Sequence, residues 1–287
     1  MTAIFKRELK AYFHSMIGYS FLGFFVLITA VYFSLYNILT LSTSYELVFM
    51  NVISLFLILV PALTMRLLSE EAKQKTDQLL LTAPVKVVSI VLGKYLAAVC
   101  LFLIALLITA IFPIILSFFG EIAIAHILGT YIGFFFLGLC FIAVGLWVSS
   151  LTDNQIIAAV GSFAALFLLF MVENIAAGLP AGRSFSIGFI AVIGILIVLF
   201  IYHSTKDFKV SAVAFAVIAC IMGVVYLKAP SLYDSLPYRI VMCFSLVLRF
   251  VNFAIGILDI NAIIYYITFS AAFLYLTVNV IEKRRWS

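Results

Sequence analysis

The chain has 287 residues, of which 66% are apolar and only 10% charged, with a formal net charge of +5. A soluble domain typically carries about 25% charged residues, so a water-soluble fold is excluded and an integral membrane protein follows. The apolar residues form long continuous runs without the alternation a transmembrane barrel requires, so the fold class is an all-α polytopic membrane protein.

Residues 1–16 carry Lys6, Arg7, Glu8 and Lys10. The apolar run that follows is too long for a cleaved signal. Phe5, Leu9, Tyr12, Phe13 and Met16 share one helical face, with Lys6, Arg7 and Lys10 off it. This spacing predicts a helix along the membrane interface. Eight apolar runs follow, at 17–40, 46–68, 92–118, 124–149, 155–176, 185–202, 210–227 and 260–281. Each is near or above the length needed to cross a hydrocarbon core of about 30 Å. The sixth and seventh are short and form a hairpin, 185–227, added to six core spans.

With the N-terminus inside, the inside segments hold Lys6, Arg7, Lys10, Arg66, Lys73, Lys75, Lys86, Lys94, Lys206, Lys209, Lys283, Arg284 and Arg285. Only Arg183, Lys228, Arg239 and Arg249 fall outside. Basic residues accumulate in cytoplasmic loops, so a multi-pass protein of the cytoplasmic membrane with both termini cytoplasmic is expected. The same distribution makes lipid, not nucleic acid, the partner of the basic charge.

The densest charge lies between the second and third spans, in "RLLSEEAKQKTDQLLLTAPV" (66–85). Acids come early, lysines later, an apolar end follows at Leu79–Leu81, and Pro84 stops the segment. That pattern predicts a cytoplasmic amphipathic helix over 69–83. It suits docking into a partner's groove; a solvated loop helix is the alternative.

Further along, Tyr238, Met242, Ser245, Arg249 and Asn252 repeat at helical spacing. They predict an extracellular interfacial or re-entrant helix over 236–256, serving as a surface anchor or as a gate. Glu173, beside Asn174, lies near the outer end of the fifth span, where a carboxylate either serves a pathway or reaches water. His14, His126 and His203 lack ligand spacing. Cys100, Cys140, Cys220 and Cys243 lie singly in apolar surroundings and read as packing residues. There is no glycine-rich phosphate loop with its lysine, so no nucleotide site is expected in this chain. No catalytic, cofactor or metal residue is assigned. Ionisable groups near the midplane are scarce, which argues against an ion-coupled carrier.

The stretch "PALTMRLLSEEAKQKTDQLLLTAPV" resembles the ABC-2 type permeases, the membrane subunits of ABC exporters, nearest the gliding-motility-type and related permeases. The family pattern runs from a proline in the span through T-M-R-x-L-x-E-E and a basic stretch to G-T-x-E-x-L-L-x-x-P. Pro61, Thr64, Met65, Arg66, Glu70, Glu71, Thr76, Leu79, Leu80 and Pro84 fall in place; Lys75 replaces the usual glycine and Gln78 the second glutamate. "FKRELKAYFHSMIGY", "VLGKYLAA", "VSSLTDNQIIAAV" and the closing "GILDINAIIYYITFSAAFLYLTVNVIEKRRW" also match, leaving out about 180–235.

The resemblance implies a single transmembrane domain over 1–287, like that of a type V exporter, in a permease homodimer. It implies two copies of a separate ABC ATPase that binds ATP and Mg, and it allows for an extracellular accessory protein. Glu70, Glu71, Lys75, Thr76, Asp77, Leu79 and Leu80 would form the coupling surface, and Glu173, Asn174, Arg249 and Asn252 a pathway or gate. The chain itself would be no enzyme. A non-transporting membrane scaffold or signalling protein of the same fold, and an ion-coupled secondary carrier, are the alternatives, and the substrate is not readable. On this view, lysine at both 70 and 71 leaves insertion intact and abolishes coupling.

Overall fold

The structure is a computed structural model that describes residues 1–76, 85–180, 182–206, 215 and 234–286. It divides into two compact units, Met1–Phe170 with Leu246–Ser287, and Met171–Ser245. The described residues are helical and connecting segments, with no strand among them. This is the all-α polytopic class that apolar composition demands, since a helix satisfies its own backbone in lipid.

Among the described residues, six helical stretches are long and apolar enough to cross a membrane: Met16–Ile38, Glu46–Lys73, Val87–Leu116, Ile124–Ser150, Gln155–Ala177 and Ile260–Arg284. They coincide with the six core spans expected from the sequence. The first arm of the expected hairpin is a helix, Arg183–Thr205, whose apolar part is shorter than the six spans. The second arm, 210–227, lies outside the described residues except for Phe215.

In the larger unit, α1 (Thr2–His14) precedes α2 (Met16–Phe33), which runs on into a π-helical turn, Ser34–Ile38. The second span is assembled from α3 (Glu46–Val52), a 3₁₀ turn, α4 (Phe56–Thr64) and α5 (Ser69–Lys73). Then come α6 (Val87–Thr109), α7 (Ile111–Leu116) and α8 (Ile124–Ser150). The fifth span, α9 (Gln155–Ala177), passes from the larger unit into the smaller one. The smaller unit holds α10 (Arg183–Thr205) and α11 (Leu236–Met242). The chain re-enters the larger unit as α12 (Val247–Ala254) and ends in α13 (Ile260–Trp286).

Phe5, Leu9, Tyr12 and Phe13 of α1 pack on the hydrophobic core, as their helical spacing anticipates. Met16 does not join them. The chain turns at Ser15 (φ −111°, ψ 153°), and Met16 opens the next helix with 86% of its surface exposed. The 236–256 segment is likewise two helices separated by residues 243–246. The stripe from Tyr238 to Asn252 therefore does not run along one continuous helix.

At the centre of the larger unit, aromatic rings from α3, α4, α6 and α8 interlock. Phe134 of α8 lies 4.5 Å from Phe49 and 4.8 Å from Phe56, and Phe56 lies 5.5 Å from Phe102 and 5.2 Å from Phe141. Such contacts exceed simple area burial by about 0.5–1.5 kcal/mol per pair. Glycines on α8 bring neighbours close, as small residues do in membrane bundles. A β-carbon at Gly138 would overlap the Phe102 ring, and one at Gly145 would overlap the Thr64 side chain. In α13, Tyr266 and Ser270 meet Cys140 of α8: the thiol donates to the Tyr266 carbonyl at 3.3 Å and the Ser270 hydroxyl donates to the sulfur at 3.4 Å.

Gly138→Val should therefore cost about 1–3 kcal/mol through overpacking. The thermal midpoint of the purified protein in detergent should fall by several degrees. Gly23→Ala on α2, where nothing lies within 4 Å of a new β-carbon, should leave the midpoint unchanged.

Candidate functional site: an ion-paired junction at the charged end

The second span does not run unbroken into its loop. Pro61 sits inside α4 and removes one backbone donor. Beyond Thr64 the Leu67 N–H bonds the Thr64 carbonyl at 3.1 Å, three residues back instead of four. The backbone groups of this break are taken up by side chains from three other elements. Tyr12 of α1 donates its hydroxyl to the Leu63 carbonyl at 3.1 Å. Lys94 of α6 donates to the Leu67 carbonyl at 2.7 Å. Ser149 of α8 donates to the Met65 carbonyl at 3.3 Å and accepts from the N–H groups of Leu68 (3.4 Å) and Ser69 (3.3 Å). The Ser69 hydroxyl also donates to the Met65 carbonyl.

Charge completes the junction. Lys94 is 1% exposed, and a lone buried ammonium would cost several kcal/mol. Besides the Leu67 carbonyl, its amine meets Glu71 Oε2 at 2.9 Å and Glu8 Oε1 at 3.2 Å, so all three donors are used. Arg7 closes the square, 2.7 Å from Glu8 Oε1 and 2.6 Å from Glu71 Oε1. Burial alone would lower the Arg7 pKa, but the Glu8 and Glu71 carboxylates outweigh it and hold the guanidinium above its ordinary value. Burial also raises the pKa of the Tyr12 phenol, with the Glu8 charge adding to the effect, so the hydroxyl stays a donor. Arg66 donates to both Glu70 carboxylate oxygens, from Nε at 2.5 Å and from Nη2 at 3.1 Å. Beside the network is a cavity of about 370 Å³, walled in part by Arg7, Tyr12, Arg66, Glu70, Gln74 and Thr76. Arg284 of α13 meets Asp153 of the α8–α9 turn at 3.1 Å.

This geometry changes the expectation for the loop. Glu71 ties the segment to Arg7 of α1 and Lys94 of α6, while Glu70 pairs with Arg66 four residues earlier in the same segment. Lysine at both positions would place new cations beside Lys94 and Arg66, and the insertion-neutral outcome expected from the sequence gives way to a destabilised junction.

Of the segment expected as a helix over 69–83, the described part holds α5, which spans five residues and closes at Lys75, whose φ is +56°; residues 77–83 lie outside the described residues. Thr76 N–H bonds the Glu71 carbonyl at 3.0 Å and Lys75 N–H the Ala72 carbonyl at 3.1 Å. These two bonds make the helix-ending motif that favours glycine at its left-handed position. The glycine of the family pattern aligned with Lys75 thus has a physical reason here. Asp77, Leu79 and Leu80 lie outside the described residues.

The four pathway candidates are held locally. In the smaller unit, Glu173 accepts from the Ser245 hydroxyl at 2.7 Å, and the Asn174 amide is 3.6 Å from Met171 Sδ. In the larger unit, Arg249 stacks 3.7 Å over the Tyr265 ring and Asn252 donates to Asp259 at 3.2 Å. Sequence reasoning missed the junction's main members, Glu8, Tyr12, Lys94 and Ser149. The available signal was Lys94 itself, a cation inside an apolar run.

A helical bundle with six membrane-crossing stretches defines a multi-pass membrane protein. A family model described as ABC-2 family transporter protein matches residues 28–180, slightly more than half the chain. The chain belongs to this family of membrane transport permeases, whose members are typically non-catalytic membrane subunits that generally work with an ABC ATPase. The match does not reach α1 or α13, which the sequence resemblance also covered. A comparison with curated proteins finds no match.

Lys94→Met leaves Glu8, Glu71 and the Leu67 carbonyl short of a donor, and should cost about 3–5 kcal/mol. Arg7→Ala, at a half-exposed position, should cost at most about 1 kcal/mol. Thermal unfolding of the two variants in detergent checks the contrast. Lys75→Gly should raise stability by about 1 kcal/mol by relieving the left-handed backbone, read in the same assay.

Proposed function

We propose that this chain is the membrane subunit of an ATP-driven exporter in the cytoplasmic membrane. It works as a homodimer with two copies of a separate ATPase, which binds the ATP and Mg. The charged end faces the cytoplasm, in keeping with the accumulation of basic residues there. The ATPase docks on the loop over 69–83, and its nucleotide-dependent closure displaces that loop. Docking rests on the apolar end at Leu79 and Leu80, while Glu71 holds the loop to α1 and α6.

The observation that carries this reading is the buried Lys94 bound at once to Glu71, Glu8 and the Leu67 carbonyl. A push on the loop cannot be absorbed locally, because Glu71 is tied to α6 and to α1. It moves the end of the second span together with the third. That is a ligand-biased two-state element of the kind transport requires. Glu173, Asn174, Arg249 and Asn252 remain the candidates for a pathway or gate.

The test is reconstitution with the cognate ATPase. Leu80→Asp should abolish ATPase binding and ATP-driven transport while leaving the thermal midpoint unchanged. Glu71→Gln should lower the midpoint as well. Transport by the purified chain without an ATPase, or full coupling in Leu80→Asp, would overturn the proposal. Transport driven by an ion gradient would favour a secondary carrier, and constitutive partner binding without turnover a scaffold.

A further inference from the structure

At the end of α2 away from Met16, the helix widens into the π-helical turn Ser34–Ile38. At about 1.5 Å per residue, this turn is some 27 Å along the helix from the charged end. Such turns within helices frequently mark functional sites. It closes with Leu39 N–H on the Ser34 carbonyl at 2.9 Å and Ser42 N–H on the Asn37 carbonyl at 3.1 Å. Leu41 takes the left-handed conformation, φ +54°, at a position where glycine is usual, and is 91% exposed. A leucine held there is strained backbone, and such strain clusters at ligand clamps.

What this strained closure positions is Asn37. Its side-chain N–H donates to the Ser42 carbonyl at 2.8 Å. Its Oδ1 is buried and has no hydrogen-bond partner, and the residue is only 2% exposed. A buried acceptor left unpaired costs about 1–3 kcal/mol. Asn37 lines a cavity of about 370 Å³, formed with Phe33, Ile38, Leu41, Ile115 and Phe119 among others. That size lies within the range of ligand pockets, roughly 300–1,000 Å³. No charged residue lines it. At its rim Leu41 and Phe119 are 91% and 82% exposed.

We propose that this cavity binds a membrane-borne neutral lipid with a free hydroxyl, of the monoacylglycerol class. The hydroxyl donates to Asn37 Oδ1, the first part of the chain fills the apolar cavity, and the remainder runs out past Leu41 and Phe119 into the bilayer. An anionic headgroup finds no cation among the lining residues, and a pure hydrocarbon leaves Asn37 unpaired. This site is independent of the ATPase reading and stands or falls separately from it.

The test uses the full chain in detergent with a photoactivatable diazirine monoacylglycerol, followed by mass mapping of the labelled peptides. Labelling should fall within 33–43 and 115–119. Unlabelled monoolein should compete at least tenfold better than oleate or octadecene. Asn37→Leu should erase that preference, and Ile38→Trp, which fills the cavity from an exposed position and keeps Asn37, should abolish labelling. The thermal midpoint of each variant verifies that it is folded. Equal competition by all three compounds, or unchanged labelling in a folded Ile38→Trp variant, would show ordinary lipid contact only and overturn the proposal.

Discussion

A single buried ammonium sets the arrangement at the charged end. Lys94 sits in an apolar helix with almost no access to water, and its charge is tolerable only because three acceptors converge on it. Those acceptors come from two places far apart in sequence: Glu8 on the first helix, and Glu71 with the backbone of Leu67 where the second span breaks. Desolvating any one of these charges without its partners costs more than the junction gains from it. The first helix, the loop and two spans are therefore fixed to each other by electrostatics as well as by packing.

The break in the second span follows from the same constraint. An unbroken helix from Glu46 to Lys73 would spend the carbonyls of Leu63 and Leu67 on its own ladder. The three-residue closure at Leu67 frees the Leu63 carbonyl and the restart of the helix at Ser69 leaves that of Leu67 open, and Tyr12 and Lys94 take them up. Ser149 does the same for Met65, Leu68 and Ser69 from the opposite side. The irregular backbone is buried in protein, the one setting in which it survives at membrane depth. Around the middle of the bundle, aromatic rings and small residues on α8 bring the helices close, and hydrogen bonds such as those of Cys140 with Tyr266 and Ser270 add to the packing.

The six spans were legible because apolar runs of about 20 residues have one dominant explanation. The amphipathic face of α1 was legible too, apart from Met16, since a turn at Ser15 leaves no trace in periodicity. The loop was legible in position but not in role. Acids followed by lysines look alike whether they face a partner or their own bundle, and only the third dimension brings Lys94 and Arg7 beside Glu71. The turn that closes α5 at Lys75 was not legible, because side-chain pattern does not report a left-handed residue. Asn37 gave no signal at all, because an asparagine near the end of a span reads as an interfacial residue until its carbonyl is seen without a partner.

These placements bear on how the proposed lever would work. If Glu70 and Glu71 served as a charge code for an ATPase, the coupling surface would be soft, with solvated pairs worth a few tenths of a kcal/mol each. With Glu71 held by Arg7 and Lys94, the loop becomes stiff at its root. Of the departures from the family pattern, Gln78 lies outside the described residues. Lys75 lies at the turn itself, and its cost is paid in backbone strain, not in lost contacts. A lever anchored this way transmits displacement through ion pairs that do not yield singly, because each carboxylate of the square is held by two cations at once.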